Sequence, residues 1–331
     1  MKAIVVHKFG APDLLQLEEV SAPVLTADTQ VKIRVLAAGV NPIDTKLRSK
    51  GVLHDQGSPF VPGCDGAGEI MECGVAVKRF KPGDRVWWCH GGLGGMQGNY
   101  SEQVVMEQNL PEFMPRSLSF EEAAACPLVL ITAWEALYDR ANLANGQTVL
   151  IHGGAGGVGH VAIQLARLRG ARISTTVSDV DKSAFVSALG VEHSIFYRQQ
   201  DFVEATLDWS NGQGADVILD TVGGKTFLQS IEACAHYGDL VTLLDPGVGL
   251  IWTEARNRNL RLSCELMLTP MLRALPQARA HQGEILRTCA KWFDEGKLQI
   301  HVSQTLPLAD ATQAHRMIES GGVQGKLVLI L

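Results

Sequence analysis

At 331 residues the chain exceeds what one hydrophobic core usually organises, so two domains are expected. A hydrophobic fraction of 46% with 19% charged residues and 34 glycines excludes a disordered or fibrous chain and favours an α/β protein with buried parallel strands. The net charge of -6 argues against nucleic acid or anionic membrane as a main partner, and no run reaches the roughly 18 apolar residues of a membrane span.

The opening MKAIVVHKFGAPDLL lacks the apolar core and cleavage site of a signal peptide, which places the chain in the cytosol as an expectation. The seven cysteines are scattered without a CxxC pair and are read as reduced, buried small hydrophobes, with Cys64 the one position where another role is weighed.

The first 120 or so residues read as short strands broken by Pro and Gly: MKAIVV, the alternating VKIRVLAAGV, VPGCDGAGEI and KPGDRVWW. From about Leu143 the rhythm becomes strand, Gly, helix, strand, the pattern of a doubly wound parallel sheet. Strands are predicted at TVLIHGG, ARISTTV, Ser194–Phe196, Ala215–Asp220, Asp239–Leu244 and Leu260–Leu266, with helices after Gly156, over Asp181–Leu189 and over Asp201–Trp209. Six such strands fit a full dinucleotide-binding sheet. The tail offers helices over Glu284–Phe293 and Asp310–Glu319 and a last strand, KLVLIL, without a further strand-Gly-helix unit, so it is expected to rejoin the first domain.

In HGGAGGVG the residues Gly154, Ala155, Gly156, Gly157, Val158 and Gly159 carry G-x-G-x-x-G where a strand ends and a helix starts. Bare turn residues let a pyrophosphate approach the backbone N–H groups at the helix N-terminus. The acid that would hold the ribose hydroxyls of NAD is replaced by Val177, with Asp179 and Asp181 coming late. Ser178 and Lys182 are placed for a 2′-phosphate, so NADPH is the expected cofactor. Val222 in DTVGG and Leu244 at the end of the fifth predicted strand complete the expected cofactor-binding residues. HGGLGGMQG fails the spacing and is read as a surface hairpin loop, and SGGVQGKL lacks the Ser or Thr of a triphosphate loop.

The segments VLAAGVNPIDTKLRS, FVPGCDGAGEI, KPGDRVW, AAACPLVLITAWEAL, HGGAGGVG, DTVGG and PLADATQAHRMIESGGVQGKLVL, taken in order, resemble the medium-chain dehydrogenase/reductases, and within them the zinc-free, zeta-crystallin-like quinone oxidoreductases. The resemblance implies an α/β fold: a GroES-like, β-rich catalytic domain built from both chain ends, 1–122 and 278–331, and a Rossmann NADPH-binding domain over 123–277. It also implies a homodimer or homotetramer and a cleft for nicotinamide and small-molecule substrate.

Zinc-dependent relatives bind their catalytic metal where this sequence has Asn41, Cys64 and Leu128, which leaves one soft ligand and no basis for a three-ligand site. By the same resemblance Asn41 lies by the nicotinamide, Thr132 by the cofactor, and Tyr197 with Lys182 beside the 2′-phosphate. Lys46 stands where better-known members carry a substrate-facing aromatic, so it is a candidate donor of hydrogen bonds or of the proton. The expected activity is metal-free hydride transfer from NADPH to quinones or activated double bonds. The alternatives are an NADPH-binding protein with a structural or regulatory role and, least favoured, a zinc-type alcohol dehydrogenase.

Overall fold

The computed structural model describes residues 1–51, 59–93, 95–247, 249 and 252–331. The chain forms two compact units, Met1–Leu128 with Leu268–Leu331, and Val129–Met267. In chain order the first segment supplies β1 (Lys2–Val6), β2 (Leu15–Glu19), β3 (Gln30–Val40), β4 (Asp65–Cys73), β5 (Arg85–Cys89), β6 (Gln103–Glu107) and β7 (Glu112–Phe113). Helices α1 (Pro42–Lys50), α2 (Phe120–Ala124) and α3 (Pro127–Trp134) lie among and after them. The middle segment alternates β8 (Thr148–Ile151), α4 (Gly157–Leu168), β9 (Arg172–Val177), α5 (Val180–Ala188), β10 (His193–Phe196), α6 (Phe202–Trp209), β11 (Ala215–Asp220), α7 (Lys225–Ala233), β12 (Cys234–Thr242), α8 (Trp252–Asn257) and β13 (Arg261–Cys264). Then come α9 (Thr269–Leu272), α10 (Pro276–Asp294), β14 (Val302–Pro307), α11 (Ala311–Ser320) and β15 (Lys326–Ile330).

In the first unit a seven-stranded sheet runs β14-β15-β3-β4-β5-β7, with β6 paired to β3. The alternation in VKIRV sends Val31, Ile33 and Val35 inward, where they meet Ile70, Val86, Trp88 and Val104. β15 pairs antiparallel with β3, Leu327 opposite Val40, and parallel with β14. The two ends of the chain therefore share one sheet.

The second unit holds a six-stranded parallel sheet in the order β10-β9-β8-β11-β12-β13. Its core gathers Leu150, Ile195, Ile218, Leu240, Phe227 and Ile231, the continuous apolar strands that a sheet covered on both faces requires. All six strands run parallel, so their carboxyl ends lie along one edge, where such sheets place their ligands.

Several expectations need correction. The unit boundaries fall at 128/129 and 267/268 rather than 122/123 and 277/278. α2 packs on β3 and β4, so closely that a Cβ on Gly39 would strike the Ala124 carbonyl, while α9 packs on α10. The segment after Asn41 is helix, not loop, because Asn41 and Asp44 form a capping box with Pro42 at the first position. HGGLGGMQG is not wholly at the surface: among its described residues Gly91, Gly92, Leu93 and Gly98 are buried and Gly95 is exposed, and Gly98 N–H donates to the Val61 carbonyl at 3.0 Å. β14 was not expected, and Cys264 is exposed rather than buried.

Candidate functional site

The dinucleotide cradle forms where β8 turns into α4. Gly153, at φ 67°, donates its N–H to Thr176 Oγ1 at 2.9 Å, and its carbonyl accepts from Gly156 N–H at 2.9 Å. A Cβ on Gly154 would collide with Thr175, and one on Gly159 with the Gly153–Gly154 backbone, so packing alone demands glycine at both. At Gly156 a Cβ would meet only the Gly153 oxygen, at 3.2 Å, so this glycine leaves room for an incoming group. Gly156 is the N-cap of the twelve-residue α4 and brings no side-chain cap, so the first N–H groups of the helix are open to an anion. Gly157 and Val158 are half-buried, and Ala155 is buried beneath them.

Five other expected cofactor residues, Ser178, Lys182, Tyr197, Val222 and Leu244, follow strands of the same sheet. Asp220, ending β11, accepts from Val222 and Gly223 N–H at 2.9 Å and from Thr242 Oγ1 at 2.8 Å. Thr242 in turn accepts from Leu244 N–H at 3.3 Å. One buried carboxylate thus orders both loops and leaves Val222 exposed above them. β9 ends at the buried Val177, and beyond it Ser178, Asp179 and Lys182 are joined by hydrogen bonds. Tyr197, after β10, is half exposed, and Arg198, which sequence reading did not single out, lays its guanidinium over the Tyr197 ring at 5.7 Å. Thr132 is buried in α3, just before the π-helical turn Glu135–Arg140.

In the first unit Asn41 is fully buried and its amide is committed on both sides. Nδ2 donates to Asp65 Oδ2 at 2.9 Å, and Oδ1 accepts from Lys326 Nζ. Lys326 also donates to the Val40 carbonyl at 3.1 Å and lies 3.9 Å from Asp65 Oδ2. Asp65 Oδ1 accepts from Leu128 N–H at 2.9 Å, so Leu128 contributes its backbone here. The sheet explains the cluster: β15 begins at Lys326 beside the end of β3, and β4 begins at Asp65 on the other side of β3. Burial pushes the Asp65 carboxyl up and the Lys326 ammonium down, and each one's charge pulls the other back.

Asp44 lies in the same cluster, where its Oδ2 accepts from Asn41 N–H at 2.8 Å and from Tyr100 OH at 3.4 Å. Burial, reinforced by the Asp65 charge, pushes its carboxyl up to about 7. Among the described residues Asp44 Oδ1 has no hydrogen-bond partner. Lys46 lies outside this cluster: it is exposed on α1, and the ionisable groups gathered at Asn41 are Asp44, Asp65 and Lys326. Residues 52–55, the remainder of the loop expected to face substrate, lie outside the described residues. The one signal available for Lys326 was a lone Lys opening an otherwise apolar strand, KLVLIL.

The zinc that this architecture holds elsewhere does not suit these residues. The Asn41 amide is spent on Asp65 and Lys326, the Cys64 thiol is held well above its ordinary range by burial and by Asp44, and Leu128 offers no donor side chain. The Gly-rich turn and bare helix N-terminus do fit the pyrophosphate of a dinucleotide.

The alcohol dehydrogenase GroES-like domain model matches residues 27–115, and the zinc-binding dehydrogenase model matches 189–329. A quinone oxidoreductase of Pseudomonas aeruginosa is 30% identical over 99% of this chain and 99% of its own length. Among solved structures, an alcohol dehydrogenase superfamily protein from Novosphingobium aromaticivorans superposes with a TM-score of 0.92 at 32% identity, covering 100% of this chain and 99% of its own. The Escherichia coli quinone oxidoreductase complexed with NADPH gives 0.89 at 28% identity, covering 100% of both chains. Fold and cradle thus define an NAD(P)H-dependent oxidoreductase of the medium-chain dehydrogenase/reductase class. Within that class the chain belongs to the quinone oxidoreductase-like family.

Proposed function

We propose that the protein reduces quinones or α,β-unsaturated carbonyl compounds with NADPH and without a metal. The observation that carries this reading is the Asn41 cluster, in which a buried amide, carboxylate and ammonium satisfy one another at the place where zinc-dependent relatives coordinate metal. Bound NADPH supplies a hydride. The chain's own residues bind and orient: Gly154, Gly156 and Gly159 clear the pyrophosphate path, and Ser178, Lys182 and Tyr197 offer donors to a 2′-phosphate. We assign Asn41 to the nicotinamide and Thr132 to the cofactor, and retain Lys46, exposed on α1, as a candidate donor toward substrate.

A site without a metal limits what can be reduced. Hydride addition to an isolated ketone creates an alkoxide, hydroxide-like and roughly 5 to 6 pKa units more basic than a phenolate. Addition to a quinone creates a phenolate-like oxygen with a pKa of about 10. The gap of roughly 5 to 6 units corresponds to about 7 to 8 kcal/mol less charge stabilisation required of the protein. Ordinary donors, each contributing about 2.7 to 4 kcal/mol in a preorganised oxyanion site, cover much of what remains. The product oxygen then takes a proton from solvent or from a side chain such as Lys46.

We read the protein as a cytosolic homodimer or homotetramer; the edge strand β13 and the exposed Leu266 and Trp252 support the pairing by leaving a surface open to a second copy. Among the described residues no helix is long and apolar enough to cross a membrane. The test is NADPH oxidation across a panel of quinones, enones, enals and saturated ketones. Turnover with the conjugated acceptors alone is expected. Rapid reduction of simple ketones, or binding of NADPH without turnover of any acceptor, would contradict the proposal.

A further inference from the structure

The groups available to a 2′-phosphate are already engaged with a carboxylate. Ser178 Oγ donates to Asp179 Oδ2 at 2.6 Å, and Lys182 Nζ donates to Ser178 Oγ at 2.9 Å while lying 3.6 Å from the same carboxylate oxygen. Asp179 Oδ1 closes the ring by accepting from Lys182 N–H at 3.0 Å as the N-cap of α5. Ammonium and carboxylate cancel, so the cluster carries no net positive charge.

By count from the Gly-rich turn Asp179 comes two residues after Val177, where an acid for ribose would stand, yet its side chain is turned back onto Ser178. That side chain is 46% exposed, and Lys182 is 21% exposed, so both can be reached from solvent. The hydroxyl of Ser178, followed by the N–H of Lys182, holds the Asp179 carboxyl below its usual range, and it is ionised at neutral pH.

The two nicotinamide cofactors would meet this ring differently. A phosphate monoester carries about −1.5 to −2 charge at pH 7, so it must take Ser178 and Lys182 from Asp179 and remain beside a like charge. A ribose with free 2′ and 3′ hydroxyls brings donors that a carboxylate accepts without displacement. Building on the NADPH reading above, we infer that Asp179 is a specificity-determining residue that restrains NADPH binding and gives NADH a foothold, so that the protein accepts both cofactors.

The test is calorimetric titration of the metal-free protein with NADPH and with NADH at matched ionic strength. Asp179→Asn and Asp179→Ser keep an N-cap acceptor and remove the charge, whereas Asp179→Glu keeps the charge and weakens the cap. Like charges about 6 Å apart in a half-exposed site lead us to expect the two neutral variants to tighten NADPH by about five- to tenfold. They should also weaken NADH by about twofold or more, and the gain in NADPH affinity should shrink at about 0.5 M salt. Asp179→Glu should keep the NADPH to NADH ratio of the unmodified protein. An unchanged ratio in both neutral variants, or a Glu variant that shifts as they do, would overturn the inference. Lys182→Ala separates this from the parent reading: if it leaves NADPH affinity intact, the phosphate site itself is misplaced.

Discussion

The two units hold their site residues by opposite means. In the unit containing both chain ends, Asn41 is locked by interior charge, with Asp65 and Lys326 on its amide and Asp44 on its backbone. In the Val129–Met267 unit the cradle is bare backbone, and the side chains proposed for a phosphate, Ser178, Lys182 and Tyr197, are all partly exposed. Where buried charge fixes a side chain, stability and function should fail together. Where open backbone and exposed side chains do the binding, function can be changed alone.

The largest expected effect is at Lys326. Lys326→Met leaves the buried Asp65 without its cation and strands the Asn41 side-chain oxygen, a change expected to cost about 3 to 5 kcal/mol in urea unfolding. Adding Asp65→Asn should recover part of that loss because the uncompensated charge goes with it. A single variant as stable as the parent would break the contrast between the units.

Asp44 gives the comparison a pH signature. Its carboxyl sits near 7 when folded against an ordinary 3.8, so between those values the folded state binds the extra proton and stability falls as pH rises. Asp44→Asn removes this dependence, and its stability relative to the parent should grow by about 2 to 3 kcal/mol from about pH 5 to pH 8. His90 and His315, both pushed down to about 3 by burial, act in the opposite sense, since their neutral folded forms make stability rise with pH. They are common to both proteins and cancel in the difference. A flat difference would place Asp44 among ordinary carboxylates.

In the other unit Lys182→Ala should weaken NADPH by about 10- to 150-fold, or about 1.5 to 3 kcal/mol, with little change in NADH affinity or thermal midpoint. The smallest effects on stability sharpen the reading of the glycines. Gly154→Ala forces a methyl into Thr175 and should destabilise by about 1 to 3 kcal/mol, whereas Gly156→Ala should cost under about 1 kcal/mol and still abolish dinucleotide binding. Equal stability losses at both would remove the distinction.

Much of the second unit was legible because its information is local. The apolar run ADVILD predicts Ala215–Asp220, which β11 matches, and the Gly-rich turn lies between a strand and a helix as its spacing requires. The first unit was harder to read because its site is assembled from distant segments. Lys326 meets Asn41 across 285 positions, and only the pairing of β15 with β3 brings them together. α1 had local signals in Asn41, Pro42 and Asp44, but its polar composition masked them. β14 is an edge strand with most side chains exposed, and VSQTLP lacks the apolar alternation that marks a covered strand.

The most direct test of the central claim is NADPH-dependent quinone reduction by protein dialysed against a strong chelator, with zinc counted in the same sample. The account predicts an undiminished rate at substoichiometric zinc. A rate that disappears with the metal and returns in proportion to one added zinc per chain would contradict it.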